Sequence, residues 1–161
     1  MQSTSSSFIQ RICDEALNSS AVNHPYLQAM SAGTLPDMTL AFRDFAFQYG
    51  IYSSKFVRYL SAVINQLNNP VHQQILRGNL EEEQGDTHDV ELPQEVLATV
   101  IGQPHSRLYH RFQEAVGVDD AYRQSVAPCQ TALLWSEQFS QLCHINECVG
   151  IGAIGLGTEL I

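Results

Sequence analysis

The sequence predicts an all-α protein, built as a single helical bundle over residues 1–161. Apolar residues recur at intervals of three and four through most of the chain, which is the spacing of one face of an α-helix. The sequence has no stretch of strand-like alternation and no Asn-Gly or Asp-Gly pair of the kind that forms tight hairpins. Proline or glycine occurs in most of the connections between apolar stretches, as in the short loops of helical bundles.

In the first half of the chain, the apolar spacing predicts three helices. The first covers residues 8–17, and a short second helix covers residues 24–33 and ends at a glycine. The third runs from Asp37 to about Leu67 and carries most of the aromatic residues, with a possible jog at Gly50. An aromatic stripe at helical spacing is typical of a helix that packs into the core.

The second half contains further helices separated by breaking residues. Pro70 suits the first turn of a helix that ends at Gly85, and an acidic loop follows it. The remaining helices are expected at residues 95–101, 104–117, 131–144 and 145–161, with a turn capped by Asp119 or Asp120. The last of them reaches Ile161 without a glycine cap or a basic final turn, so we expect a domain that is incomplete at its C-terminus.

Composition excludes several classes of partner. The chain has 161 residues, 44% of them hydrophobic, which is enough to form the core of one domain. Its 8 basic and 17 acidic residues give a net charge of −9, which disfavours binding to nucleic acid or to an anionic membrane surface. We find neither a secretory signal nor an apolar run near the ~20 residues of a membrane span. We therefore expect a cytoplasmic protein with no nucleic-acid or membrane partner.

Three places in the sequence offer candidate metal ligands. The adjacent carboxylates of residues 81–83 stand at a helix C-terminus, where the helix dipole disfavours them, so they form either a solvated edge or a site compensated by a cation. His105 shares a helix face with Leu108 and Phe112, which suits either a hydrogen-bonded core histidine or a metal ligand beside a carboxylate. Glu159 follows a face of small residues and is either exposed or inward-facing.

These segments resemble a known family. The order of residues 24–27, 33–35 and 58–63 is similar to that of the heme-oxygenase-like helical superfamily. The most specific parts are Asn-Leu-x-Glu-Glu-x-Gly at residues 79–85, His-x-x-Leu at residues 105–108, and the small-residue helix that ends at Glu159. The pattern most resembles the non-heme di-iron oxidases and oxygenases of this superfamily, with thiaminase II and pyrroloquinoline-quinone synthase as more distant relatives.

The resemblance implies a metal site. Carried over residue by residue, it makes Glu82, His105 and Glu159 iron ligands, with Glu83 as the second choice for the first position. It implies two ferrous ions, dioxygen and a small organic substrate, and it allows Tyr49 and Tyr52 to line the substrate pocket, as it does Tyr26 and Phe45. The family's remaining ligands come from a later helix with a His-x-x-x-Asp-x-x-His-like cluster, which this sequence does not contain.

Two further hypotheses stay open beside the enzyme. The first is a non-catalytic helical module that binds a partner or a small molecule through exposed apolar surface, and it includes a possible homo-oligomer. The second is a cofactor-free hydrolase similar to thiaminase II, for which Cys129 or Cys143 is the candidate nucleophile.

Overall fold

The computed structural model describes residues 2–86 and 93–158, and it describes side chains from residue 6 onward. Within these ranges the chain forms α-helices and no β-strand, which confirms the predicted all-α fold. The helices are α1 (Gln2–Leu17), α2 (Pro25–Ser31), α3 (Met38–Ser53), α4 (Phe56–Ile64), α5 (Pro70–Glu83), α6 (Gln94–Val100), α7 (His105–Ala115), α8 (Asp120–Ser125), α9 (Gln130–Leu142) and α10 (Glu147–Gly157).

Short polar residues start several of these helices, and one of them is the predicted cap Asp119. Each cap accepts a hydrogen bond from a backbone N–H of the first turn, which satisfies one of the donors that a helix start leaves unpaired. The caps are Asp37 before α3, Asn69 before α5, Asp119 before α8 and Asn146 before α10. Because Asn146 takes this role, α10 begins at Glu147, two residues later than predicted.

The predicted long aromatic helix is two helices. The chain leaves the helical path at Ser54 and Lys55 and not at Gly50, which lies inside α3. At this break the Nζ atom of Lys55 donates to the Ser136 hydroxyl of α9 at 2.8 Å. This contact between distant parts of the chain cannot be read from helical periodicity.

The main core surrounds α4. Tyr59, Leu60 and Val63 of α4 are buried, and they belong to one cluster with Phe139 of α9 and Ile154 of α10. The helix α10 approaches α4 closely at one glycine of its small-residue face. A Cβ atom on Gly150 would lie 2.9 Å from the side chain of Val63. The expected smooth surface is therefore used for packing at this position.

The helix α3 lies between α7 and α9 and forms one wall of a cavity. Its Ala46 and Phe47 are buried with Val118 in a second, smaller core cluster. Tyr109 of α7 ties the two helices together by donating its hydroxyl to the Ala46 carbonyl at 2.9 Å. The next turn of α3 is thereby held against the face of α7 that carries the candidate site.

Candidate metal and substrate site

The C-terminus of α5 meets the N-terminus of α7 through one polar contact. The Nδ1 atom of His105 lies 2.8 Å from Oε1 of Glu83. The Glu83 side chain is 20% exposed and that of His105 is 46% exposed, so the pair lies at the edge of the interior. Carboxylate and imidazole are a donor pair that iron accepts in proteins.

The end of α5 explains why these two side chains meet. Gly85 has φ +99°, and its N–H donates to the Glu82 carbonyl while the Asp86 N–H donates to the Glu81 carbonyl. This is the paired hydrogen-bond pattern of a helix that ends at a left-handed glycine. A Cβ atom on Gly85 would lie 2.9 Å from backbone atoms of Gln103 and of Pro104. The glycine therefore lets the end of α5 pack directly on the residues that lead into α7.

The three predicted ligands differ in where they lie in the structure. Glu82 is exposed and makes no hydrogen bond or ion pair with His105, whereas Glu83, the second choice, does. Glu159 lies outside the described residues, so its place in a site stays a prediction. Among residues 2–86 and 93–158, no group of three or more histidine, cysteine, aspartate or glutamate side chains converges as a metal cluster.

The Glu83–His105 pair lines a cavity of about 580 Å³. Helices α3 and α7 supply most of its wall, and Thr158 lines it from the end of α10. Of the aromatic residues expected at a substrate pocket, Tyr49 and Tyr52 line the cavity. Tyr26 and Phe45 are not among its lining residues, and the Phe45 ring stacks on that of Tyr49 at 5.5 Å.

Aromatic rings form the apolar part of the cavity. The ring of Tyr49 lies 5.6 Å from that of Tyr52 and 5.8 Å from that of Tyr109, measured between centroids. Burial is the main cause that raises the pKa of Tyr52 well above its usual value, and the nearby Tyr49 adds to it. Burial likewise raises the pKa of Tyr109. Both phenols therefore stay protonated near neutral pH and act as hydrogen-bond donors.

Two buried hydroxyl groups at the cavity differ in their partners. The Tyr52 hydroxyl has the Thr158 side chain as its polar partner, and the Thr158 hydroxyl itself donates to the Ile154 carbonyl at 2.6 Å. The Ser53 hydroxyl has no hydrogen-bond partner among the described atoms. Buried polar groups usually have partners, so the Ser53 hydroxyl is open to a polar group of a ligand or to water.

The sequence analysis did not single out two polar residues of the cavity, Gln113 and Arg123. Gln113 is only 6% exposed, and its Nε2 atom donates to the Ala46 carbonyl at 2.8 Å. Its Oε1 atom accepts a hydrogen bond of 2.9 Å from Nη2 of Arg123 in α8. One signal was present in the sequence, because His105, Tyr109 and Gln113 follow one another at four-residue intervals and so share a helix face.

The described residues thus define an all-α bundle with a carboxylate–imidazole pair on the wall of an aromatic cavity. A family model described as iron-containing redox enzyme matches residues 43–161, which is most of the chain and includes all the candidate ligands. The chain therefore belongs to the iron-containing redox enzyme family, and the resemblance drawn from the motifs is confirmed. No curated protein and no solved structure matches the chain. Among its described helices, none is long and apolar enough to cross a membrane.

Proposed function

We propose that this protein is a non-heme di-iron oxidase or oxygenase domain that activates dioxygen on a small organic substrate. The observation that carries the proposal is the contact between Glu83 and His105 on the wall of the aromatic cavity. Membership of an iron-containing redox family supports iron as the metal. The number of iron ions, two ferrous ions, is part of the proposal, and so is the statement that this chain forms an active site by itself.

The residues at the pair suit iron by their chemistry. His105 contacts Glu83 through Nδ1, and its Nε2 atom makes no hydrogen bond with a described residue. A histidine whose one ring nitrogen is fixed by a carboxylate presents the other nitrogen to a metal in a defined orientation. His105 would hold iron through Nε2, with Glu83 as the carboxylate that orients its ring, and Glu82 and Glu159 are the further ligands that the family resemblance predicts.

Iron, when bound, supplies the transfer of electrons to dioxygen and the oxidation of the substrate. The chain supplies the enclosure. The rings of Tyr49, Tyr52 and Tyr109 exclude water from one side of the cavity and offer an apolar surface to the body of a substrate. The Ser53 hydroxyl provides a hydrogen bond to its polar atoms.

Anaerobic titration with ferrous iron tests this proposal. We expect the parent protein to bind iron, and we expect Glu83→Ala and His105→Ala to bind it at least tenfold more weakly, because one variant loses a ligand and the other loses the carboxylate that orients it. Glu82→Ala and Glu159→Ala measure the two remaining predicted ligands separately. His72→Ala is the matched control, because His72 is exposed on α5 and does not line the cavity. Iron binding by E83A and H105A equal to that of the parent would refute the proposal.

A second candidate is a non-catalytic module that associates with another copy of the chain. It rests on three consecutive apolar residues of α9, Leu133, Leu134 and Trp135, whose exposed fractions are 46%, 48% and 46%. Exposed apolar patches mark association surfaces. Light scattering after size-exclusion chromatography decides this candidate: a dimer that W135E dissociates supports it, and a monodisperse monomer counts against it.

A further inference from the structure

We propose that Arg123 binds a carboxylate of the substrate at the same cavity, so that the protein acts on a small carboxylic acid with an apolar body. The reaction assigned to this acid rests on the proposed function. The binding site itself rests on the described residues and does not require iron. The assignment follows from three observations: the hydrogen bond from Arg123 to Gln113, the lack of a carboxylate partner for Arg123 among the described residues, and the position of Arg123 relative to His105.

Arg123 is a partly buried cation without a carboxylate beside it. It lines the cavity, and its one hydrogen bond to a described residue joins Nη2 to the amide oxygen of Gln113. No aspartate or glutamate in the described ranges forms an ion pair with it. A guanidinium group has five N–H donors in a planar fork that matches a carboxylate. Most of those donors are therefore left for a ligand.

The orientation of Arg123 depends on α3 through the side chain of Gln113. The Gln113 amide donates to the Ala46 carbonyl through Nε2, so its oxygen faces the guanidinium group. Gly50 makes room for this amide, because a Cβ atom at that position would lie 2.3 Å from Nε2 of Gln113. The cation is thus held in place before a ligand arrives, which lowers the entropic cost of binding.

The cavity wall carries one further free donor and one acidic residue. The Ser53 hydroxyl lines the cavity and is buried without a described partner, so a polar atom of a ligand can accept from it. Glu83 is the acidic residue of the cavity wall and repels an anion from its own vicinity. The electrostatics therefore favour an anionic group at Arg123 and disfavour one beside Glu83.

Helix geometry places the cation away from the candidate iron ligands. His105 and Gln113 stand eight residues apart on one face of α7, which is about 12 Å along the helix axis at 1.5 Å per residue. A molecule whose carboxylate meets Arg123 therefore brings a more distant part of its body to His105. The substrate class is an acid with several carbon atoms between the carboxylate and the oxidised position.

The test compares an acid with its uncharged amide. We use 4-phenylbutyrate and 4-phenylbutyramide on the full chain, as purified and after removal of metal with a chelator, and measure affinity by calorimetry or ligand-observed NMR. The parent should bind the acid about tenfold more tightly than the amide, since one charge-assisted pair contributes about this factor. Arg123→Gln should remove that preference and leave amide binding within twofold. Arg123→Lys should retain part of it, because an ammonium group lacks the planar fork.

Arg107→Gln is the control for net charge, because Arg107 is exposed on α7 and does not line the cavity. Equal affinities of the parent for acid and amide would overturn the inference, and so would no binding of the acid, or binding only in the presence of iron. The comparison within the parent decides the matter even if R123Q does not fold. An acid preference together with a failed iron titration would keep the anion site and remove the proposed oxidase, and the reverse result would do the opposite.

Discussion

His105 and Glu83 are 22 positions apart in the sequence, yet His105 Nδ1 and Glu83 Oε1 lie 2.8 Å apart. The intervening chain includes α6, so the contact is made by the way α5 ends and α7 begins and not by local sequence. Gly85 stands at this junction, where a Cβ atom would collide with backbone atoms of Gln103 and Pro104. The candidate metal pair therefore depends on a residue that has no metal-binding group.

Replacing Gly85 with alanine should disrupt the pair. A Cβ atom would meet backbone atoms at 2.9 Å, and the left-handed φ of +99° disfavours any residue with a side chain. We expect a loss of about 1–3 kcal/mol in the free energy of unfolding, measured with urea, together with weaker ferrous iron binding.

Gly78→Ala is the matched control on the same helix. A Cβ atom on Gly78 would meet nothing within 4 Å, so alanine should stabilise α5 by about 0.5–1 kcal/mol. Similar changes in stability for G85A and G78A would contradict the role given to Gly85.

More of the fold than of the candidate site could be predicted from the sequence. Helical spacing, Pro70 and the cap at Asp119 located most of the helices, because those signals are local, although α1 begins at Gln2, six residues before its predicted start. Local sequence does not determine which of residues 81–83 lies beside His105. Neighbouring helical residues point about 100° apart, and only the packing of Gly85 decides which of them faces α7.

The position of Arg123 at the cavity is a second feature that could not be predicted from the sequence. It lies in the last turn of a six-residue helix, where a basic residue is usual and carries no functional signal. Its place at the cavity comes from Gln113, a residue of α7 that is buried because Gly50 of α3 leaves space for it. Each of these contacts joins different helices, and no spacing rule within one helix predicts them.

Gly50→Ala should weaken the predicted acid site more than it weakens the fold. The added Cβ atom displaces the Gln113 amide from the Ala46 carbonyl, and the buried amide loses its partner. This loss outweighs the gain in helix propensity, so we expect a net destabilisation of about 1 kcal/mol. Affinity for 4-phenylbutyrate should fall several-fold in calorimetry.

The control for this variant is Gly155→Ala in α10, where an added Cβ atom would have open space. G155A should gain stability and bind the acid as the parent does. If G50A binds the acid with the affinity of the parent, Gln113 does not position Arg123.

Two buried tyrosines should respond to removal of the hydroxyl to different extents. The Tyr59 hydroxyl lies 2.9 Å from the Ser136 hydroxyl and 3.2 Å from its carbonyl oxygen, so Tyr59→Phe should cost about 1–2 kcal/mol of stability. The Tyr52 hydroxyl has only the Thr158 side chain as a polar partner, so Tyr52→Phe should cost less, about 0–1 kcal/mol. Thermal and denaturant unfolding of both variants checks this, and a larger loss for Y52F than for Y59F would be the contrary result.

Cys143 should make the fold less stable as the pH rises above 9. Burial raises the pKa of this thiol from 9.0 to about 11, and its side chain is fully buried between α9 and the core. Between these two values the unfolded chain loses the proton that the folded chain keeps, so the free energy of unfolding falls with rising pH. The stabilising contribution is complete below pH 9 and is lost as the pH approaches 11, by up to about 2 kcal/mol.

Urea unfolding at pH 8 and pH 10 measures how steeply the free energy of unfolding falls with pH. Cys143→Ala should flatten this slope, whereas Cys148→Ala, at an exposed thiol, should not change it. An equal slope in C143A and the parent would assign the alkaline instability to another group.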